Sequence, residues 1–342
     1  MMLPVYIKQQ RGSVLVTALW AMALLSMLTI VLVMRSNFSL NISSAQRDAY
    51  VMNHQLYGGA LYARYLLELD EDSDVDTLDD LWFGVHVIED EAVGFPKNTR
   101  IAIQDESSKL NVNAASQLEL ESLLEYLKEE GRISAIPKEC VEGLLKWRGT
   151  IQSSSLRSPY KGSPFESVDE LLLVPDLAYV DAVALRSYFT VFGNPSFTQV
   201  NINLVSEPVL WSILQGLSVE ESVKSRMFDE LIAYRIDRMA EGEYFTSDNM
   251  SASDFIEGLG LSSDVITVSF FSQLLSHLSA DTTHFNVVIV FPDEAISKDD
   301  SSQNDNEWYN AMAMCVIGPH LQSGSDAVYP LSELSIVSWE EQ

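Results

Sequence analysis

From Val14 to Met34, twenty-one consecutive residues carry no charge, and Arg11 and Arg35 bound the run. A helix of that length rises about 31 Å, the thickness of a bilayer's hydrocarbon core. Beyond it the pattern changes from continuous to striped. Apolar or small residues recur at Phe38, Ile42, Ala45, Ala49, Met52, Leu56, Ala60, Ala63 and Leu67. Steps of three and four mark one face of an amphipathic helix. No proline interrupts Val14 through Leu69, so both segments are predicted to form one helix, with a bend at Gly58-Gly59.

An acidic hinge, Asp70 to Asp76, ends this helix, and two short strand-like runs follow, Val85 to Ile88 and Thr99 to Ile103. The chain then repeats itself. Lys109-Leu-Asn-Val-Asn-Ala-Ala-Ser116 returns as Gln199-Val-Asn-Ile-Asn-Leu-Val-Ser206, each ahead of an amphipathic helix, Leu118 to Leu127 and Pro208 to Leu214. Leu144-Leu-Lys-Trp-Arg148 returns as Leu231-Ile-Ala-Tyr-Arg235, and Phe165-Glu-Ser-Val-Asp-Glu-Leu171 as Phe245-Thr-Ser-Asp-Asn-Met250 with Ser253-Asp254-Phe255. The offsets are 90, 87 and 80 residues, so order is kept while loops differ. Duplication of one all-helical unit is the economical reading. Ser116, Ser206, Ser167 and Ser253 stand where helix caps are expected, with Glu119 at capping-box spacing from Ser116. Near the carboxy terminus, His284 to Phe291, Ala311 to Ile317 and Leu334 to Trp339 are β-compatible runs.

Composition sharpens this picture. The 342 residues carry 47% apolar side chains and a net charge of −28, which becomes −30 if Lys8 and Arg11 are removed with residues 1–12. So acidic a surface repels phosphates, and it offers many carboxylates to calcium. Lys8 and Arg11 favour a cytoplasmic amino terminus, against Arg35 and Arg47 on the far side. Cys140 and Cys315 lie 175 positions apart in differently patterned segments and read as two separate buried thiols rather than a bridge.

The junction at the amino terminus points to processing. A short basic leader ends in Gly12 directly against the apolar run, whereas a secretory signal places its cleavage site after the run. This layout resembles a type IV prepilin, in which a membrane peptidase cuts after the glycine and the new amine is methylated. An uncleaved anchor, or a signal cut near Ser43-Ser44-Ala45, are the alternatives. The repeat unit resembles the helix-hairpin-helix module, whose common form binds nucleic acid. It has Val174-Pro-Asp-Leu177 in place of Pro-Gly-hydrophobic-Gly, and Gly216-Leu-Ser218 and Gly258-Leu-Gly260 lack flanking lysines. A membrane-anchored, competence-like DNA receptor remains the alternative function.

Along nearly its full length the chain resembles the type II secretion system minor pseudopilin K (GspK) family. The match rests on Arg11-Gly12, Gln46-Arg-Asp-Ala-Tyr50, Ile103 through Asn113, Pro164 through Leu171, and Val200-Asn-Ile-Asn203. The resemblance implies an α+β, type IV pilin-like fold: a long amino-terminal helix packed on a small antiparallel sheet, with a large inserted all-helical domain carrying both repeats. The expected organisation is a leader over 1–12, membrane and spine helix over 13–69, and the first part of the head over 70–106. An inserted domain over 107–278 and a carboxy-terminal sheet over 279–342 complete it. The expected role is a non-enzymatic tip subunit of the secretion pseudopilus, nucleating assembly and aiding export across the outer membrane. It would be anchored once in the inner membrane with its head in the periplasm. Its partners would be I- and J-like minor pseudopilins, the prepilin peptidase and the inner-membrane secretion platform, and no nucleic acid.

Three site expectations follow. Cleavage falls between Gly12 and Ser13. Thr17, the fifth residue after that cut, stands where most pilins carry a glutamate that pairs with the subunit ahead. A carboxylate buried in lipid without a partner costs about 2.5–3.5 kcal/mol or more, so threonine suits a subunit with nothing ahead of it. The family also implies calcium, with Asp299, Asp300, Asp305 and Glu307 as first candidate ligands and the hinge Asp70 to Asp76 as second. No catalytic constellation is found: the five histidines lack ligand spacing, and there is no P-loop, nucleophile elbow or complete dinucleotide glycine motif.

Overall fold

The computed structural model describes residues 13–70, 75–88, 95–134, 137–151, 158–194, 196–292, 309–318 and 333–340. The chain divides into two compact units, 1–58 and 59–342. Helix α1 (Ser13–Glu68) runs unbroken through Gly58 and Gly59. In the first unit, every described side chain from Val14 to Val51 is exposed. With a mean hydropathy of 2.3 over its best window, α1 is long and apolar enough to cross a bilayer.

In the second unit, the last turns of α1 bury Ala60, Ala63 and Leu66. At Gly59 the backbone lies close to the sheet, since a Cβ there would lie 2.7 Å from Ile289 Cδ1. Small residues on this face let helix and sheet approach closely. Strands β1 (Gly84–Ile88) and β2 (Thr99–Asp105) follow as an antiparallel pair. Along β2 the odd positions Ile101 and Ile103 are fully buried, as the two-residue period of a one-sided sheet requires.

The first repeat then runs β3 (Leu110–Asn111), α2 (Gln117–Glu129), α3 (Pro137–Trp147), a 3-10 turn (Val168–Leu173), α4 (Tyr179–Leu185) and β4 (Phe189–Thr190). The second runs β5 (Val200–Asn201), α5 (Glu207–Gly216), α6 (Glu221–Ala240), α7 (Ala252–Gly258), α8 (Val265–Leu274) and β6 (Leu278–Ser279). Strands β7 (Phe285–Pro292), β8 (Tyr309–Gly318) and β9 (Glu333–Glu340) complete an antiparallel sheet ordered β1-β2-β7-β8-β9. Helices α2 and α5, the equivalent first helices of the two repeats, pack on one another, so both repeats share one core through Leu120, Leu124, Leu210 and Ile213.

The repeats are not all-helical, as the sequence suggested. Each is closed by a two-residue parallel ladder, Leu110 with Phe189 and Val200 with Leu278. Ladders this short leave no period for a sequence to display. Two caps also differ from expectation. Ser116 forms the full capping box with Glu119, and Ser167 accepts from the Asp169 amide. Ser206 makes no side-chain cap, and Pro208 at the start of α5 removes one of the donors a cap would satisfy. Ser251, not Ser253, caps α7, in a box with Asp254. Cys140 is a free, buried thiol pushed up to about 11, chiefly by burial and then by nearby carboxylates, which makes it unreactive.

Candidate functional site

The duplicated motif builds the same latch twice. In the first repeat, the Asn113 amide donates to Asn111 Oδ1 at 3.0 Å. Asn113 Nδ2 donates to the Phe165 carbonyl at 2.9 Å, and its Oδ1 accepts the Phe165 amide at 2.8 Å. Arg148 Nη1 donates to the carbonyls of Val112 and Ala115, both at 2.8 Å. In the second repeat, the Asn203 amide donates to Asn201 Oδ1 at 2.8 Å, and Asn203 pairs with both backbone groups of Phe245 at 3.0 Å. Arg235 Nη1 donates to the carbonyls of Val205 at 2.6 Å and Ile202 at 3.3 Å. Burial pulls both guanidinium groups below their ordinary range. In both, Nη1 bonds backbone carbonyls, so the guanidinium groups clamp the chain path.

Where the two latches differ, the second reaches the hinge. Asn111 Nδ2 turns to the carbonyls of Phe192 and Asn194, within its own repeat. Asn201 Nδ2 instead donates to the Asp76 carbonyl at 3.0 Å, and Asn203 Nδ2 reaches the same oxygen at 3.5 Å. The Asp76 amide donates to the Ala280 carbonyl at 3.0 Å, and its carboxyl accepts the Thr282 amide. Tyr244 donates its hydroxyl to Asp79. The hinge is therefore bound to the second repeat and to the chain entering β7.

That binding gathers carboxylates. Asp70, Asp76 and Asp80 bring ligand oxygens within 4.8 Å of one another. Trp82 Nε1 donates to Asp70 at 3.1 Å, and Thr77 holds both oxygens of Asp80 through its amide at 2.6 Å and hydroxyl at 3.0 Å. Burial pushes Asp76 up to about 8, against the Thr282 amide and with Asp80, Asp70 and Asp105 adding repulsion. Three converging carboxylates supply the hard oxygen donors that a calcium-sized cation takes. The donor set fits.

The hairpin ends of the repeats do not fit a phosphate. Such binding needs free backbone N–H groups. In the first repeat Val174 and Leu177 donate to the carbonyls of Leu171 and Val174. In the second, Leu259, Gly260 and Leu261 donate to Phe255, Glu257 and Ile256 at 3.0, 3.0 and 2.9 Å. Asp264 then caps α8 by accepting the Thr267 amide at 2.8 Å, a bond that holds its carboxyl below the usual carboxylate range. A negative charge belonging to the chain already occupies the place an anion would take.

Gly12, Asp299, Asp300, Asp305 and Glu307 lie outside the described residues. Ser13 starts α1, and Thr17 Oγ1 donates to the Val14 carbonyl at 2.9 Å, folding its hydroxyl back on the helix. Of the hinge candidates, Asp70 and Asp76 come together. Asp80 completes the cluster and was missed, although Thr77 three positions before it is a turn signal. Thr282 carries no such signal, since only the fold brings it to Asp76.

A long amino-terminal helix, a small antiparallel sheet and a helical region placed between two of its strands define the pilin-like α+β class. One chain of the crystal structure of the GspK-GspI-GspJ complex from the enterotoxigenic Escherichia coli type 2 secretion system shares this fold. The TM-score is 0.54 at 12% identity, covering 88% of this chain and 99% of that chain. The likeness is one of fold. No protein-family model and no curated protein sequence matches the chain.

Proposed function

We propose that the chain is a non-enzymatic minor pseudopilin that caps the tip of a type II secretion pseudopilus and starts its assembly. It is cleaved between Gly12 and Ser13 by the prepilin peptidase, methylated, and anchored once in the inner membrane with its head in the periplasm. The carrying observation is a membrane-length exposed helix in a chain whose fold is shared by one chain of the GspK-GspI-GspJ complex. By the same reading its partners are I- and J-like subunits and the inner-membrane platform. The satisfied hairpin amides and the Asp264 cap weigh against the DNA-receptor reading.

Co-expression of the full chain with I- and J-like subunits tests this directly. A stoichiometric complex that does not polymerise is the expected result. Self-assembly into filaments, or sub-micromolar, salt-sensitive binding to duplex DNA, would overturn it.

Calcium belongs to this proposal as a stabilising ion, held by Asp70, Asp76 and Asp80. Bound there, the ion would supply positive charge that offsets the mutual repulsion of these carboxylates. Calcium is expected to raise the melting temperature of the purified chain, magnesium to do less, and an Asp76→Asn/Asp80→Asn variant to lose the calcium effect.

A further inference from the structure

Helix α8 buries Thr267, Phe270, Phe271 and Leu274, yet its first turns are apolar on the outside as well. Val265 is 86% exposed, Ile266 58% and Val268 40%. The exposure recurs on the equivalent last helix of the first repeat, where Tyr179 and Val180 are 72% and 74% exposed. Large apolar side chains so open to water on a folded surface mark a contact surface when they cluster. Their setting identifies the kind of contact. From Arg238 to Lys298 the sequence contains no intervening Lys or Arg, against nine Asp and Glu. Asp264 and Glu257, both exposed, stand just before the patch in sequence.

We infer that the outer face of α8 at Val265, Ile266 and Val268 is a docking surface for a protein segment whose apolar side chains are flanked by lysine or arginine. The apolar contact supplies affinity, and the acidic stretch that carries α8, in a chain of net charge −28, selects a cationic partner and repels an acidic one. A second copy of this chain, at −28, is the wrong partner on charge alone. An anionic lipid surface is disfavoured for the same reason. This inference goes beyond the tip assignment, because it concerns a face of the repeats and not the membrane helix or the pilus.

The test uses the full chain in phosphatidylcholine nanodiscs, with empty nanodiscs as blank. The probe is a fluorescent 18-residue peptide with a leucine face flanked by lysines, read by anisotropy at 0.15 M salt. A Val265→Ser/Ile266→Ser/Val268→Ser variant should bind it at least tenfold more weakly, while a Val265→Leu/Ile266→Leu/Val268→Leu variant retains binding. The peptide with glutamate for lysine, and the one with serine for leucine, should both fail to bind. Equal binding by wild type and the serine variant would overturn the inference, as it would reveal charge attraction without a site. Self-association of the wild type that the serine variant abolishes would overturn it in favour of a second copy.

Discussion

At the scale of single residues, stability rests on side chains that satisfy buried backbone. Asn203 is 2% exposed and pairs with both backbone groups of Phe245. Asn203→Ala would leave a buried donor and acceptor without partners, each costing about 1–3 kcal/mol. A loss of ~2–4 kcal/mol is expected by urea denaturation, and a smaller loss for Asn113→Ala, whose site is half-buried. Asp105 sets a pH dependence. Burial, with Glu106 adding repulsion, pushes its carboxyl from 3.8 up to about 7 against the pull of the Ser107 amide. Between those values the folded chain holds a proton that the unfolded chain releases, so stability falls as pH rises from about 4 to about 7 and levels off above. The melting temperature should drop from pH 5 to pH 8, and Asp105→Asn should lessen that drop, the remainder belonging to Asp76, which is pushed up to about 8.

Among the elements, the contact between α1 and β7 is sensitive to size. A Gly59→Val variant should lose about 1–3 kcal/mol, because its side chain would overlap Ile289. Gly59→Ala gains helix propensity of about 1 kcal/mol but meets the same atom. Combined with Ile289→Val it should regain stability, and a double-mutant cycle by denaturation would measure that coupling. Gly59 also illustrates what a sequence conceals. Paired glycines read as a bend, and nothing in the sequence announces the close approach to Ile289 that Gly59 also serves. The strands were legible because hydrophobic alternation is local, and the duplication because Asn-x-Asn, the arginine and the phenylalanine recur in order. The hydrogen bonds that join those three were not legible, since Asn113 and Phe165 are 52 positions apart. The carboxylate cluster was half-legible for the same reason: Asp70 and Asp76 share an acidic run, while Thr282 meets Asp76 across 206 positions.

For the whole molecule, processing is the first check. Mass spectrometry of the membrane-extracted protein should find a mature chain beginning at Ser13, and an intact Met1 would exclude the peptidase. The sheet offers a second and less obvious one. Strand β2 ends at Asp105 and β7 begins at Phe285, and these two residues face each other across the ladder. Antiparallel neighbours can be joined by a two-residue turn, with Cα atoms about 5 Å apart. The entire duplicated region, residues 106–284, thus fills a slot that Asn-Gly could fill, like a cartridge seated in a hairpin. Its entry and exit lie side by side, so the sheet can accept it without rearranging. If the full-length chain caps the tip as proposed, a chain spliced with Asn-Gly in place of residues 106–284 should keep the antiparallel sheet, and electron microscopy should then find subunits stacked above it.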